Sequence, residues 1–207
     1  MALTIYGSAQ SRTLRVLWMA TELGLEFTHV PLAYDDPALK SAEFLAISPA
    51  GAVPAIVDDG FALAESLAVN LYLAKKYGGR GRLALYPSNP RNEAETWRWS
   101  LWAQGHLEPF IQRDALLTDM RTALGDHAKT MAARALGILD RALSTRPWLV
   151  GERFTVADLN VACVLSPSRT AHLDLEATPA VRDWIAACRR RPAFIATRAR
   201  YAVKPAD

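Results

Sequence analysis

The stretch Ser48-Pro49-Ala50-Gly51-Ala52-Val53-Pro54-Ala55-Ile56-Val57-Asp58-Asp59-Gly60-Phe61-Ala62-Leu63-Ala64-Glu65-Ser66 decides the fold. Its first four residues are loop formers. Val53 to Val57 then reads as a strand with a proline at its start, where a missing backbone N–H is tolerated. Asp58-Asp59-Gly60 is a hairpin turn in which glycine supplies the positive φ, and Phe61 to Leu63 returns as the partner strand. Ser66 to Tyr77 follows as a helix, with Leu67, Leu71 and Ala74 at helical spacing and Gly78-Gly79 as the stop.

Upstream, Leu3 to Tyr6 is a short apolar strand. Arg12 to Leu23 is a helix with Leu14, Leu17, Trp18 and Thr21 on one face and Gly24 behind it. Glu26 to Leu32 is a second strand, and a weaker helix runs over Leu39 to Ala46. The order strand, helix, strand, helix, strand, strand, helix implies a mixed sheet flanked by helices. Downstream, two prolines in Tyr86-Pro87-Ser88-Asn89-Pro90 break any regular element and mark a linker. Helical patterns alone follow it: Glu93 to His106, Ala128 to Leu143, Val156 to Leu165 and Pro179 to Arg190. The last has Val181, Trp184, Ile185 and Cys188 on one stripe. The expectation is an α/β domain over residues 1–80, a linker over 81–90 and an all-helical domain over 91–207.

Composition narrows the function classes. Half of the chain is apolar and the net charge is +3. No apolar run approaches the ~20 residues that span a bilayer. The opening MALTIYGSAQSR lacks a basic start and a long enough apolar stretch for a secretion signal, so a cytoplasmic protein is expected. The basic run Arg189-Arg190-Arg191 ends a helix pattern and complements its dipole; it does not form a stripe that would bind nucleic acid. The histidines (His29, His106, His127, His172) are scattered, so no metal is expected. Cys163 and Cys188 lie inside helix patterns and read as buried reduced thiols.

Three segments together resemble the cytosolic glutathione transferase family. They are Tyr6-Gly7-Ser8-Ala9-Gln10-Ser11-Arg12-Thr13-Leu14-Arg15-Val16, then Ser48 to Pro54 with Leu63-Ala64-Glu65-Ser66, then Phe154-Thr155-Val156-Ala157-Asp158. The first looks like the strand-to-helix turn of serine-type, theta-like bacterial members. The resemblance extends over essentially the whole chain. It implies a thioredoxin-like N-terminal domain with a four-stranded mixed sheet, a helical C-terminal domain, glutathione as co-substrate and a homodimer.

The same resemblance assigns roles. Ser66, at a helix start where free N–H groups favour an anion, receives the γ-glutamyl carboxylate of glutathione, and Glu65 helps hold the ammonium. A plain helix cap is the other reading of Ser66. Pro54 is cis in that family, and the backbone of Val53 pairs with the cysteinyl part. Ser11 is the hydroxyl that turns the thiol into a thiolate, with helix capping as its other reading. Tyr6 competes, because tyrosine-type members place the phenol at the end of the first strand; Ser8 and Thr13 also lie nearby. Many relatives have a lysine where this chain has Ala52, and Lys40 is the substitute cation, though it also reads as a solvated surface side chain. Trp102 and His106 are assigned to the hydrophobic-substrate side. Residues 1–80 contain no cysteine, which argues against chemistry that needs a sulfur nucleophile of the protein's own.

Thr155 and Asp158 have capping-box spacing, with Phe154 and Leu159 as the staple, and read as stability residues. The activity implied is conjugation of glutathione to a hydrophobic electrophile. A glutathione-dependent peroxidase or isomerase, or a non-catalytic binding protein, would use the same fold.

Overall fold

The computed structural model describes residues 2–78, 84–117, 123–166, 173 and 175–201, with backbone alone for 113–117 and 123–124. Gly79, His172, linker residues 81–83 and the C-terminal residues 202–207 lie outside the described residues. The chain divides into two compact units, Met1–Tyr86 with Arg191–Asp207, and Pro87–Arg190.

The first unit is built on a four-stranded sheet of order β2-β1-β3-β4, with β1 Leu3–Tyr6, β2 Thr28–Val30, β3 Ala55–Asp58 and β4 Phe61–Ala64. β1 runs parallel to β2 and antiparallel to β3, with Ile5 opposite His29 and Ile56. The hairpin pairs Asp58 with Phe61 across Asp59 (φ 50°) and Gly60 (φ 86°), two positive φ angles as a type I′ turn demands. Helices α1 (Thr13–Glu22) and α3 (Ser66–Tyr77) pack on the sheet and on each other, around Ile5, Leu17, Ile56 and Leu73. Helix α2 (Ala42–Ile47) follows a 3-10 turn over Pro37–Lys40; Ser41 ends one and caps the other, accepting from the Phe44 N–H at 3.2 Å.

One polar cluster pins α3 to the hairpin. The buried Asp58 carboxylate accepts from Tyr72, Tyr77 and Lys76, each at 2.8 Å. Burial pushes its pKa up, but the donors, Lys76 first, outweigh that and hold it below the usual carboxylate value. The C-terminal half of α3 is thereby registered against the end of β3.

The second unit is helical: α4 (Pro90–Trp102), a π-helical turn over Ala103–Leu107, α5 (Glu108–Leu117), α6 (Ala123–Leu143), α7 (Val156–Val164) and α8 (Pro179–Arg189). The sequence pattern runs one helix to His106. In the structure the α-helix gives way at Trp102 to the wider turn, which contains Gly105, a poor α-helix former. Its core gathers Trp99, Leu107, Ile111, Leu139, Leu159 and Trp184.

Asp158 is the keystone of this unit. It is fully buried and accepts from the N–H groups of Leu149, Thr155 and Trp184 at 2.9 Å, and from the Thr155 hydroxyl at 3.2 Å. The Thr155–Asp158 capping box is closed. No cation is among these donors, and burial pushes the Asp158 carboxyl up to about 6.

Helix α9 (Pro192–Arg200), which the sequence pattern does not pick out, belongs to the first unit and packs on α1. Phe194 meets Trp18 edge-on at 4.8 Å, and Arg191 pairs with the buried Glu22, which also accepts from Trp18.

Candidate functional site

Three backbone features of the first unit converge on one open cleft. Its lining comes from Arg12, from Ser48 and the loop residues Ala50, Ala52, Val53 and Pro54, and from Ala64, Glu65 and Ser66. The Val53–Pro54 peptide bond is cis. Glu65 is the N-cap of α3 at φ 70°, a conformation that costs a non-glycine residue on the order of 1–3 kcal/mol. Its side chain caps nothing. The start of α3 therefore reaches the cleft without a carboxylate or hydroxyl from its own chain folded over its N–H groups.

Ser66 is the first residue of α3 and not its N-cap, which sets aside the plain capping role. Its buried hydroxyl oxygen accepts from Nη1 of Arg15 at 3.4 Å. A guanidinium only donates, so the serine proton is left for another acceptor. Arg15 itself is 5% exposed, an arginine set among the core residues Val16, Leu17 and Met19. The helix N-terminus at Ser66 itself favours an anion. Sequence reasoning did not single out Arg15. Its signal is a charge inside the apolar run Leu14–Ala20, because charged side chains are seldom buried without a task.

The turn from β1 to α1 brings Ser11 to the same region. Gly7 sits at φ 121°, and a Cβ placed there would stand 2.1 Å from Oγ1 of Thr13 and 2.7 Å from Cβ of Val53. Only glycine allows that approach. The turn is tied to β2 and the residues after it by the Gly7 N–H to Val30, the Ser8 N–H to Leu32, and the His29 ring, whose Nε2 meets the Gly7 carbonyl at 2.8 Å. Ser11 Oγ donates to the Ser8 carbonyl at 2.8 Å, accepts from the Thr13 N–H at 3.1 Å and lies 2.8 Å from the Thr13 hydroxyl. Arg12 is the N-cap of α1, with Ser11 one residue before it.

Tyr6 lies elsewhere in its packing. Its ring meets Phe44 edge-on at 5.9 Å and joins the cluster of Leu39, Phe44 and Ala55. Lys40 is exposed, with Nζ 3.5 Å from the carbonyl of Gly51, between the cleft residues Ala50 and Ala52. Ser8 is half-buried beside Ser11, and Thr13 is fully buried. Trp102 and His106 belong to the second unit: Trp102 is half-buried against Trp99, with ring centroids 5.2 Å apart, and His106 is exposed in the π-helical turn. Among the described residues no group of three or more His, Cys, Asp or Glu side chains could hold a metal ion. Nor is any helix there long and apolar enough to cross a membrane.

Comparison with known proteins agrees over both units. Residues 11–76 match the family described as glutathione S-transferase, N-terminal domain, and residues 100–192 match its C-terminal domain. Glutathione S-transferase 3 of Zea mays is 32% identical, covering 98% of this chain and 96% of its own. The disulfide-bond oxidoreductase YfcG of Escherichia coli is 33% identical over 73% of each chain. Among solved structures, glutathione S-transferase III in its apo form superposes with a TM-score of 0.83 at 30% identity, covering 100% of both chains. Ure2p in complex with glutathione shares the fold, with a TM-score of 0.83 at 23% identity and coverage of 94% and 97%.

Proposed function

Because the chain belongs to the glutathione S-transferase family, we propose that it binds glutathione in this cleft, ionises its thiol and conjugates it to hydrophobic electrophiles. The observation that supports this best is the uncapped start of α3, with the buried Ser66 hydroxyl over Arg15, facing the cleft that holds the cis Val53–Pro54 bond. The α3 N-terminus takes the γ-glutamyl carboxylate, Glu65 the ammonium, the backbone of Val53 the cysteinyl amide and Lys40 the glycyl carboxylate. Trp102 and His106 are assigned to the electrophile.

The chemistry rests on the thiolate. A free thiol titrates near ~8.5 and is only a few per cent ionised at neutral pH. Lowering that by about two units requires roughly 2.7 kcal/mol of preference for the ionised form. A hydroxyl donating to the sulfur at the start of a helix supplies much of it. Ser11 is that hydroxyl, which makes the protein a serine-type, theta-like member. Tyr6, packed on Phe44, is the alternative.

A cytoplasmic homodimer completes the reading. Helix α4 presents Trp97 and Leu101 one turn apart to solvent, an apolar face that a second copy would cover. Light scattering at micromolar concentration should give twice the 22.7 kDa of one chain, and a monomer reading would reject the dimer.

The test of the function is turnover of a chloronitroaromatic with glutathione, run beside peroxide reduction and reduction of a glutathione mixed disulfide. Conjugation as the leading activity supports the proposal. Retention on immobilised glutathione with no turnover in any arm would make the protein a binder. The disulfide arm carries a second reading, favoured by the similarity to the Escherichia coli oxidoreductase.

A further inference from the structure

Ser11 has one proton and, in the structure, spends it on the Ser8 carbonyl. A hydroxyl that activates a thiolate must point that proton at the sulfur. The surroundings show how it can do so without moving its oxygen. The carbonyl of Ser8 can only accept, so with Ser11's proton on Ser8 the Thr13 hydroxyl is the donor in the 2.8 Å Thr13–Ser11 contact. The Thr13 N–H donates to the same oxygen at 3.1 Å. A sulfur arriving on the Ser8 side of Ser11 then competes with that carbonyl for the proton while both Thr13 donors keep the oxygen in place.

Thr13 is itself held for this task. Its side chain is fully buried, so its hydroxyl cannot turn to solvent. The seat of its Oγ1 exists only because Gly7 has no side chain. Gly7 in turn is fixed from the β2 side by Val30 and His29.

We propose that Thr13 is a positioning residue for the ionisation of glutathione: its hydroxyl donates to Ser11 Oγ, fixing that oxygen and releasing the one serine proton for the sulfur. A hydroxyl that accepts such a bond is also the stronger donor, since hydrogen bonds in a chain polarise one another. This inference rests on the proposed role of Ser11.

The test is titration of the thiol of bound glutathione by its near-ultraviolet thiolate absorbance. It uses the full-length wild type and the variants Thr13→Val, Thr13→Ala, Thr13→Ser, Ser11→Ala and Ser11→Ala/Thr13→Val. Thr13→Val keeps the shape and loses the hydroxyl, and should raise the thiol pKa by roughly half a unit or more with a kcat loss of about fivefold, the factor an ordinary hydrogen bond represents. Glutathione affinity should stay unchanged. Thr13→Ala should behave alike, and Thr13→Ser should restore the wild-type titration. In the Ser11→Ala background Thr13→Val should move the thiol no further, because Thr13 acts through Ser11.

A wild-type thiol pKa in Thr13→Val, beside a raised one in Ser11→Ala, overturns the inference and spares the role of Ser11. So does an effect present in Thr13→Val and absent in Thr13→Ala, which would be crowding, or an effect that persists in the double variant. If Ser11→Ala itself leaves the thiol unchanged, the reading of Ser11 falls and takes this one with it.

Discussion

Helices α3 and α7 begin in opposite ways. At α7 the chain satisfies its own N-terminus: Thr155 accepts from the Ala157 N–H, and Asp158 reaches back to the Thr155 N–H while also binding Leu149 and Trp184. The capping groups are taken up by the chain itself, and the whole cluster is buried. At α3 the cap position is Glu65, held at positive φ with no capping bond, and the first residue is a serine whose oxygen is fed by a buried arginine. That helix start lines a cleft. A closed N-terminus builds the fold. An open one, kept open at the expense of backbone strain, is suited to bind an anion.

The difference predicts which property each site controls. Asp158→Ala strands buried N–H groups of Leu149, Thr155 and Trp184, and should cost about 3–5 kcal/mol of stability by denaturant unfolding, with glutathione affinity intact in the folded fraction. A loss of affinity at unchanged stability would erase the contrast. Ser66→Ala should do the reverse. It removes a donor to a charged carboxylate and should weaken glutathione binding by about 1.5–3 kcal/mol in calorimetric titration, with a far smaller change in stability. Equal losses of stability at the two positions would show that α3 is merely capped.

Protonation sharpens the contrast by a smaller amount. The folded-state pKa of Asp158 is raised to about 6 from the ordinary carboxyl value of 3.8, so between these values the folded protein holds more protons than the unfolded chain. Stability from this group therefore rises as pH falls through 6, by about 1 kcal/mol at pH 5. Asp158→Asn should lack that gain. Asp58 has the opposite sign: its lowered pKa gives stability above the unfolded carboxylate value that is lost only as pH falls below it. A wild type and Asp158→Asn protein with parallel pH profiles from 7 to 5 would show that the buried donors hold the Asp158 charge as well as Lys76 holds that of Asp58.

How much of this was legible in the sequence follows from range. The hairpin and α3 read directly, because Pro54, Asp59-Gly60 and Gly78 punctuate them locally and each constraint spans a few residues. The helical pattern runs unbroken from Glu93 to His106, which hid the π-helical turn after Trp102, and it stops short of α5. Helix α9 went unread because Pro192–Arg200 carries only two large apolar side chains, Phe194 and Ile195, and no wide apolar stripe; it is held by Phe194 on Trp18. At the cleft, Val53, Pro54, Glu65 and Ser66 come together through the hairpin register. The contacts of Arg15 with Ser66, 51 positions away, and of Gly7 with Val53 depend on tertiary approach, and no local pattern announces them.

The account stands on Ser11 as the group that ionises glutathione. The direct measurement is the thiolate absorbance of enzyme-bound glutathione across pH, in the wild type, Ser11→Ala and Tyr6→Phe. The wild type should titrate clearly below the free thiol value of ~8.5, Ser11→Ala should return towards it with glutathione affinity largely kept, and Tyr6→Phe should follow the wild type. A raised thiol pKa in Tyr6→Phe, with an unchanged one in Ser11→Ala, would contradict the account and assign the chemistry to the phenol.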